Sequence, residues 1–97
     1  MSAANHHDRN RVALITGASG GIGLDLVRLF ARDCHDLVLV ARSADRLDRI
    51  ADEMEREYGI RAHPVPVDLS HPDAPGRVFT ELVARGLEVD FLVNNAG

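Results

Sequence analysis

The eight residues Thr16-Gly17-Ala18-Ser19-Gly20-Gly21-Ile22-Gly23 stand where an apolar run, residues 12–15, gives way to a helical pattern. Glycines packed into one strand-to-helix turn let the backbone bend sharply and approach a ligand closely, and the first N–H groups of the new helix lack partners within it. Together with the positive end of the helix dipole, these groups make an anion site. The spacing is not the literal G-x-G-x-x-G fingerprint, because three residues separate Gly17 from Gly21 and Leu26 takes the place of the last glycine. A P-loop is excluded, since that pattern needs a Gly-Lys pair and the chain has no lysine. Glycines that merely turn the chain are the plainer alternative. A strand before and a helix after are what phosphate binding requires, and we read the stretch as a phosphate cradle.

Outward from this turn, residues 12–16, 36–41, 62–68 and 90–94 are short runs rich in Val, Leu and Ile that are apolar on successive residues, as in strands covered on both faces. Between them, Ile22, Leu26, Leu29 and Phe30, then Leu47, Ile50, Met54 and Tyr58, then Val78, Phe79, Leu82 and Val83 recur at helical spacing. Ser43 is placed to cap the second helix, with Asp45 in its first turn and Gly59 after its end. Ser70 or His71, with Pro72, is expected to open the third helix, unless Pro75 moves that start a few residues on, and Gly86 follows its end. Strand and helix alternating in this order predict a doubly wound, Rossmann-like parallel sheet with helices on both faces, incomplete at about four strands and three helices. Residues 1–10 are expected to form a flexible arm and residues 11–97 a partial nucleotide-binding domain. The fourth strand comes last with no helix to cover it, which predicts a marginal or self-associating unit.

At 97 residues the chain has room for one small core. A net charge of -4 argues against a grip on nucleic acid or an acidic membrane, and no apolar run approaches the roughly 20 residues of a membrane helix. The start is polar, without the apolar core of a signal peptide. With a single Cys34 no internal disulfide forms, and the histidines show no metal-ligand spacing with it, the pair His6-His7 included. A cytoplasmic protein with small-molecule partners and no metal fits these features.

Dinucleotide folds read the adenosine ribose at the end of the second strand, where an acidic residue would repel a 2′-phosphate. Here Ala41 is followed by Arg42, whose guanidinium suits that phosphate, so NADP(H) is expected over NAD(H). The alternative is an ordinary solvated arginine heading a helix that also carries Arg46 and Arg49. Asp68, at the carboxyl end of the third run, either accepts a hydrogen bond from an adenine amino group or caps the turn into Ser70. Asn94 and Asn95 either tie strand ends together or touch the ribose. Asp52, Glu53, Glu55 and Glu57 are expected on a solvated helix face, and Cys34 as a small apolar residue without a redox role.

Taken in order, residues 16–23, Val40-Ala41-Arg42, Val67-Asp68-Leu69-Ser70 and the closing run Val89-Asp90-Phe91-Leu92-Val93-Asn94-Asn95-Ala96-Gly97 strongly resemble the short-chain dehydrogenase/reductase family across residues 11–97. The resemblance implies that Gly17, Ser19, Gly20, Gly21, Ile22 and Gly23 line the pyrophosphate and ribose. It places Arg42 at the 2′-phosphate, Asp68 and Leu69 beside adenine, and Asn95 and Ala96 beside the ribose. Many NADP-preferring relatives carry a basic residue where this chain has Gly20, so Arg42 would hold the preference nearly alone. Relatives often have glycine where this chain has Cys34, and a left-handed backbone there would cost roughly 1 kcal/mol or more. The family's chemistry further implies a serine, a tyrosine and a lysine beyond the Asn-Asn-Ala-Gly motif, and Tyr58 does not replace them. The parent is thus expected to be a hydride-transferring, homo-oligomeric oxidoreductase acting on a carbonyl or alcohol. The 97 residues alone are expected to be inactive, with a non-catalytic NADP-binding module or a non-functional fragment as the alternative.

Overall fold

The computed structural model describes residues 10–95, so residues 1–9 of the expected arm, with His6 and His7, and at the other end the candidate Ala96 and the last residue Gly97, lie outside the described residues. The elements are β1 (Val12–Thr16), α1 (Gly21–Arg32), β2 (Asp36–Ala41), α2 (Ala44–Tyr58), β3 (Ala62–Pro66), α3 (Ala74–Ala84) and β4 (Phe91–Val93). All strand pairs are parallel, in the order β3-β2-β1-β4. The chain winds outward from β1 through β2 to β3 and returns to lay β4 on the other side of β1. Right-handed crossovers then put α1 and α2 on one face and α3 on the other.

The two cores follow from strand alternation. Ala13, Ile15, Leu37 and Leu39 face α1 and α2, packing with Val27, Ala31, Leu47, Ile50 and Met54. Val12, Leu14, Val38, Val40 and Val65 face α3, with Ala74, Val78 and Leu82. An ion pair between Arg28 and Glu53, 3.0 Å apart, joins α1 to α2 on the solvent side of the first core. The acidic residues of α2 therefore serve its polar face, as expected.

Two strand boundaries differ from the sequence expectation, and of the two starts considered for α3 the later one, near Pro75, is adopted. β3 ends at Pro66 rather than Asp68, although the Val67 N–H still donates to Ala41 O at 2.9 Å. Past that bond the Asp68 carboxylate accepts the Ser70 N–H at 3.0 Å and turns the chain. Ser70, His71 and Pro72 belong to this turn, which continues with Ala74 N–H donating to His71 O, so α3 begins only at Ala74, with Asp73 as its N-cap. β4 is trimmed to three residues because Asp90 turns its carboxylate onto the Val12 N–H, 2.8 Å away.

Helix ends explain two special backbones. After α3, Leu87 N–H donates to Leu82 O and Gly86 N–H to Val83 O, with Gly86 at φ 65°, a Schellman closure. α1 closes identically, His35 N–H to Phe30 O and Cys34 N–H to Ala31 O, but here the left-handed position, φ 66°, is filled by Cys34. The His35 and Phe30 rings meet at a tilt with centroids 5.6 Å apart, supplying the side-chain contact that accompanies this closure. Cys34 is exposed rather than packed.

Candidate functional site

The glycine turn leaves β1 at its carboxyl end, on the edge of the sheet where β2 and β3 also finish. Gly17 (φ 64°) and Gly21 (φ 57°) both sit in the left-handed region, which L-residues with a Cβ enter only at a cost. Gly20 is extended, and a Cβ there would meet nothing within 4 Å. Gly23 is the opposite case. A Cβ on it would collide with the Gly17 carbonyl oxygen and come within 2.8 Å of both the Gly17 carbonyl carbon and Asn95 Nδ2. The first turn of α1 thus rests directly on the bend that precedes it, so Gly23 shapes the cradle.

That geometry suits an anion. The N-cap Gly20 has no side chain to occupy the first N–H groups of α1, and the first turn carries no acidic residue. The helix therefore presents its partial positive charge at the turn without an internal counter-charge. Ile22 stands beside it, 69% exposed despite being apolar.

A brace from the far end of the chain holds the turn in place. The Asn95 N–H donates to Thr16 Oγ1 at 2.9 Å, Thr16 Oγ1 donates to Asn94 Oδ1 at 3.2 Å, and Asn95 Nδ2 donates to Gly17 O at 3.4 Å. Of the two roles open to Asn94 and Asn95, tying strand ends together is what these contacts do. Thr16, 7% exposed, is the hub of the brace. Its role could have been suspected from a hydroxyl closing an otherwise aliphatic buried strand.

Next to the turn lies a cleft of about 320 Å³, lined by Gly17, Ser19, Arg42, Arg46, Asp68 and Leu69 among others. It brings together the sequence candidates from the ends of β1, β2 and β3. Arg46 was not singled out from the sequence. Ser43 Oγ accepts the Arg46 N–H at 3.3 Å, opening α2 at Ser43 and so placing Arg46 one turn beyond Arg42, on the same cleft. Asp68 is held below the usual carboxylate range, first by the Ser70 N–H and hydroxyl, against an opposing desolvation, with lesser help from His71 and Arg42. Its Oδ1 accepts from Ser70 N at 3.0 Å and Ser70 Oγ at 2.7 Å, so turn capping is the role its contacts display.

Other features lie elsewhere. Tyr58 ends α2, half-buried against the first core. Among the described residues no group of three or more His, Cys, Asp or Glu could hold a metal, and no helix is long and apolar enough to cross a membrane.

A glycine turn at the carboxyl edge of a 3-2-1-4 parallel sheet, with Arg42 just past the end of the second strand and Arg46 in the helix that follows, defines the nucleotide-binding half of a doubly wound α/β protein. The chain belongs to the short chain dehydrogenase family, whose model matches residues 11–97. It is similar to L-sorbose reductase from Gluconobacter frateurii, solved with NADPH and L-sorbose, at 39% identity and TM-score 0.86, covering 92% of this chain and 34% of that one. A short-chain dehydrogenase from Sphingobium yanoikuyae, solved with NADPH, matches at 41% identity and TM-score 0.80, over 90% of this chain and 34% of that one. The fatty acyl-CoA reductase of Acinetobacter baylyi is 38% identical over 89 residues, 92% of this chain and 30% of the relative. The chain thus spans about a third of the length of the relatives it matches.

Proposed function

We propose that this chain is the NADP(H)-binding amino-terminal part of an oxidoreductase that moves hydride between the nicotinamide and a small carbonyl or alcohol substrate. The observation that carries the proposal is the 320 Å³ cleft, where Gly17 and Ser19 of the glycine turn that leads into α1 lie with Arg42 and Arg46. The main-chain N–H groups of the glycine turn would hold the diphosphate, and the guanidinium of Arg42 the 2′-phosphate, by charge-assisted hydrogen bonds. Leu69 and the backbone around Asp68 would border the adenine, and Asn95 and Ala96 the ribose. Two similar structures, both solved with NADPH, support the cofactor assignment. Bound cofactor would supply the hydride. No lysine exists among the 97 residues and Tyr58 lies at the far end of α2, so the proton-handling groups of the parent lie outside this chain.

Fluorescence titration with NADPH and NADH tests this. Arg42→Ala should weaken NADPH about 10- to 100-fold, from the loss of one charge-assisted contact, and leave NADH within about twofold. Equal losses for both cofactors would sink the Arg42 assignment, and no NADPH binding at all to the full parent protein would sink the proposal. Turnover by the 97 residues alone would overturn the division of labour between this part and the rest.

A further inference from the structure

β3 is an edge strand whose outward row of hydrogen-bonding groups contains no free donor. Leu37 N–H donates to Arg61 O at 2.8 Å and Val67 N–H to Ala41 O at 2.9 Å, so the odd-numbered residues of this segment face β2. Backbone alternation then turns Ala62, Pro64 and Pro66 outward. Two of those three have no N–H, being proline. The third, the Ala62 N–H, donates to Glu55 Oε2 of α2 at 3.0 Å. The prolines fall in the outward register; one residue earlier or later each would have removed a bond of the β2–β3 ladder.

From this we propose that the outer edge of β3 is a built terminus of the sheet, closed to strand addition by a second copy of the chain or by any extended peptide. An incoming strand alternates donors and acceptors along its own edge and needs both kinds opposite. β3 offers it three carbonyls and no donor, so the carbonyls of the incomer would lose water and gain nothing. Each buried, unsatisfied group of that kind carries a desolvation penalty, which makes the pairing unfavourable rather than merely weak. Two proline rings and the Glu55 carboxylate stand in its path as well.

The test reopens the edge. In the 97-residue chain, Pro64→Thr and Pro66→Thr together with Glu55→Ala restore three outward donors without altering the ladder to β2. Sedimentation velocity should show the association constant rising at least about tenfold over the unmodified chain, equivalent to one net hydrogen bond or more. The new amides at 64 and 66 should exchange more slowly as protein concentration rises. A triple variant that keeps its circular dichroism but associates no more than the parent would overturn the proposal. So would concentration-dependent contacts at residues 62–66 in the unmodified chain. Should the triple variant lose its fold, Glu55→Ala alone decides the matter. Its Ala62 amide should exchange about tenfold faster or more, whereas an unchanged rate would mean that Glu55 does not occupy that donor.

Discussion

Replacing Gly23 by alanine adds one methyl group, and the structure says where it goes. It would overlap the Gly17 carbonyl oxygen and lie 2.8 Å from the Gly17 carbonyl carbon and from Asn95 Nδ2, where carbon contacts settle near ~3.5–4.0 Å. The Gly17 oxygen is main chain in a left-handed bend, so relief requires either α1 or the turn to move as a unit. Overpacking of this kind costs about 1–3 kcal/mol, and losing the bond from Asn95 Nδ2 to Gly17 O adds about 1 kcal/mol. A total near 3 kcal/mol is a large share of the ~5–15 kcal/mol that holds a domain of this class together. It should lower Tm by about 10–20 °C. Gly20→Ala, three residues earlier, is the internal control. Its Cβ meets nothing within 4 Å and its backbone is extended, so its Tm should stay within about 3 °C of the parent. Thermal and urea unfolding followed by circular dichroism compare the two directly. If Gly23→Ala and Gly20→Ala unfold together, the close approach of α1 to the glycine turn does not exist in solution.

Other expectations follow from single contacts. Cys34→Gly relieves a left-handed residue and should stabilise the chain by about 0.5–1 kcal/mol after the added freedom of the unfolded chain is subtracted; a lower urea midpoint would contradict the φ of 66°. Thr16→Val removes the acceptor of the Asn95 N–H from a site 7% exposed and should cost about 1–3 kcal/mol, with faster amide exchange at Asn95 as its specific signature. The His63 imidazole is pushed below its ordinary 6.5 by burial first and by Arg85 second, with Asp36 and Glu55 opposing. Its folded pKa being the lower one, the unfolded chain takes up the proton first as pH falls. Its contribution is therefore fully present above pH 6.5 and is lost as pH drops from there toward the folded value. The stability difference between the parent and His63→Gln, measured from pH ~5 to ~8, should be flat at the upper end and change only below. A flat difference throughout would show that burial does not act on this ring.

Periodicity exposed the architecture because strands covered on both faces and one-sided helices leave different repeats, and residues 12–58 carry both clearly. Ser43 and Gly59 were legible for a local reason: each acts on backbone within four residues of itself. What stayed hidden acts over distance or by exception. Asp36 accepts the Arg61 N–H from 25 residues away and Asp90 the Val12 N–H from 78, so each ends a strand register that no local pattern announces. Cys34 was marked by the resemblance as standing where glycine is usual, but that its backbone is left-handed, and that α1 and α3 finish alike, shows only in the bonds from Cys34 to Ala31 and from His35 to Phe30. At the site, the glycines, Arg42 and Asp68 stood out by residue type, while Arg46 needed the turn of α2 to bring it round to the cleft.

The clasp between Asn95 and Gly17 joins groups 78 residues apart. A ribosome adding ~5–20 residues per second would leave the nascent glycine bend unclasped for roughly 4–16 s after it is made. During that interval the bend can be held by the Ala18 N–H to Val40 O bond and by α1 resting on it, but not by the Asn95 contact, so the final clasp on the junction arrives late in synthesis rather than with the segment that carries the glycines.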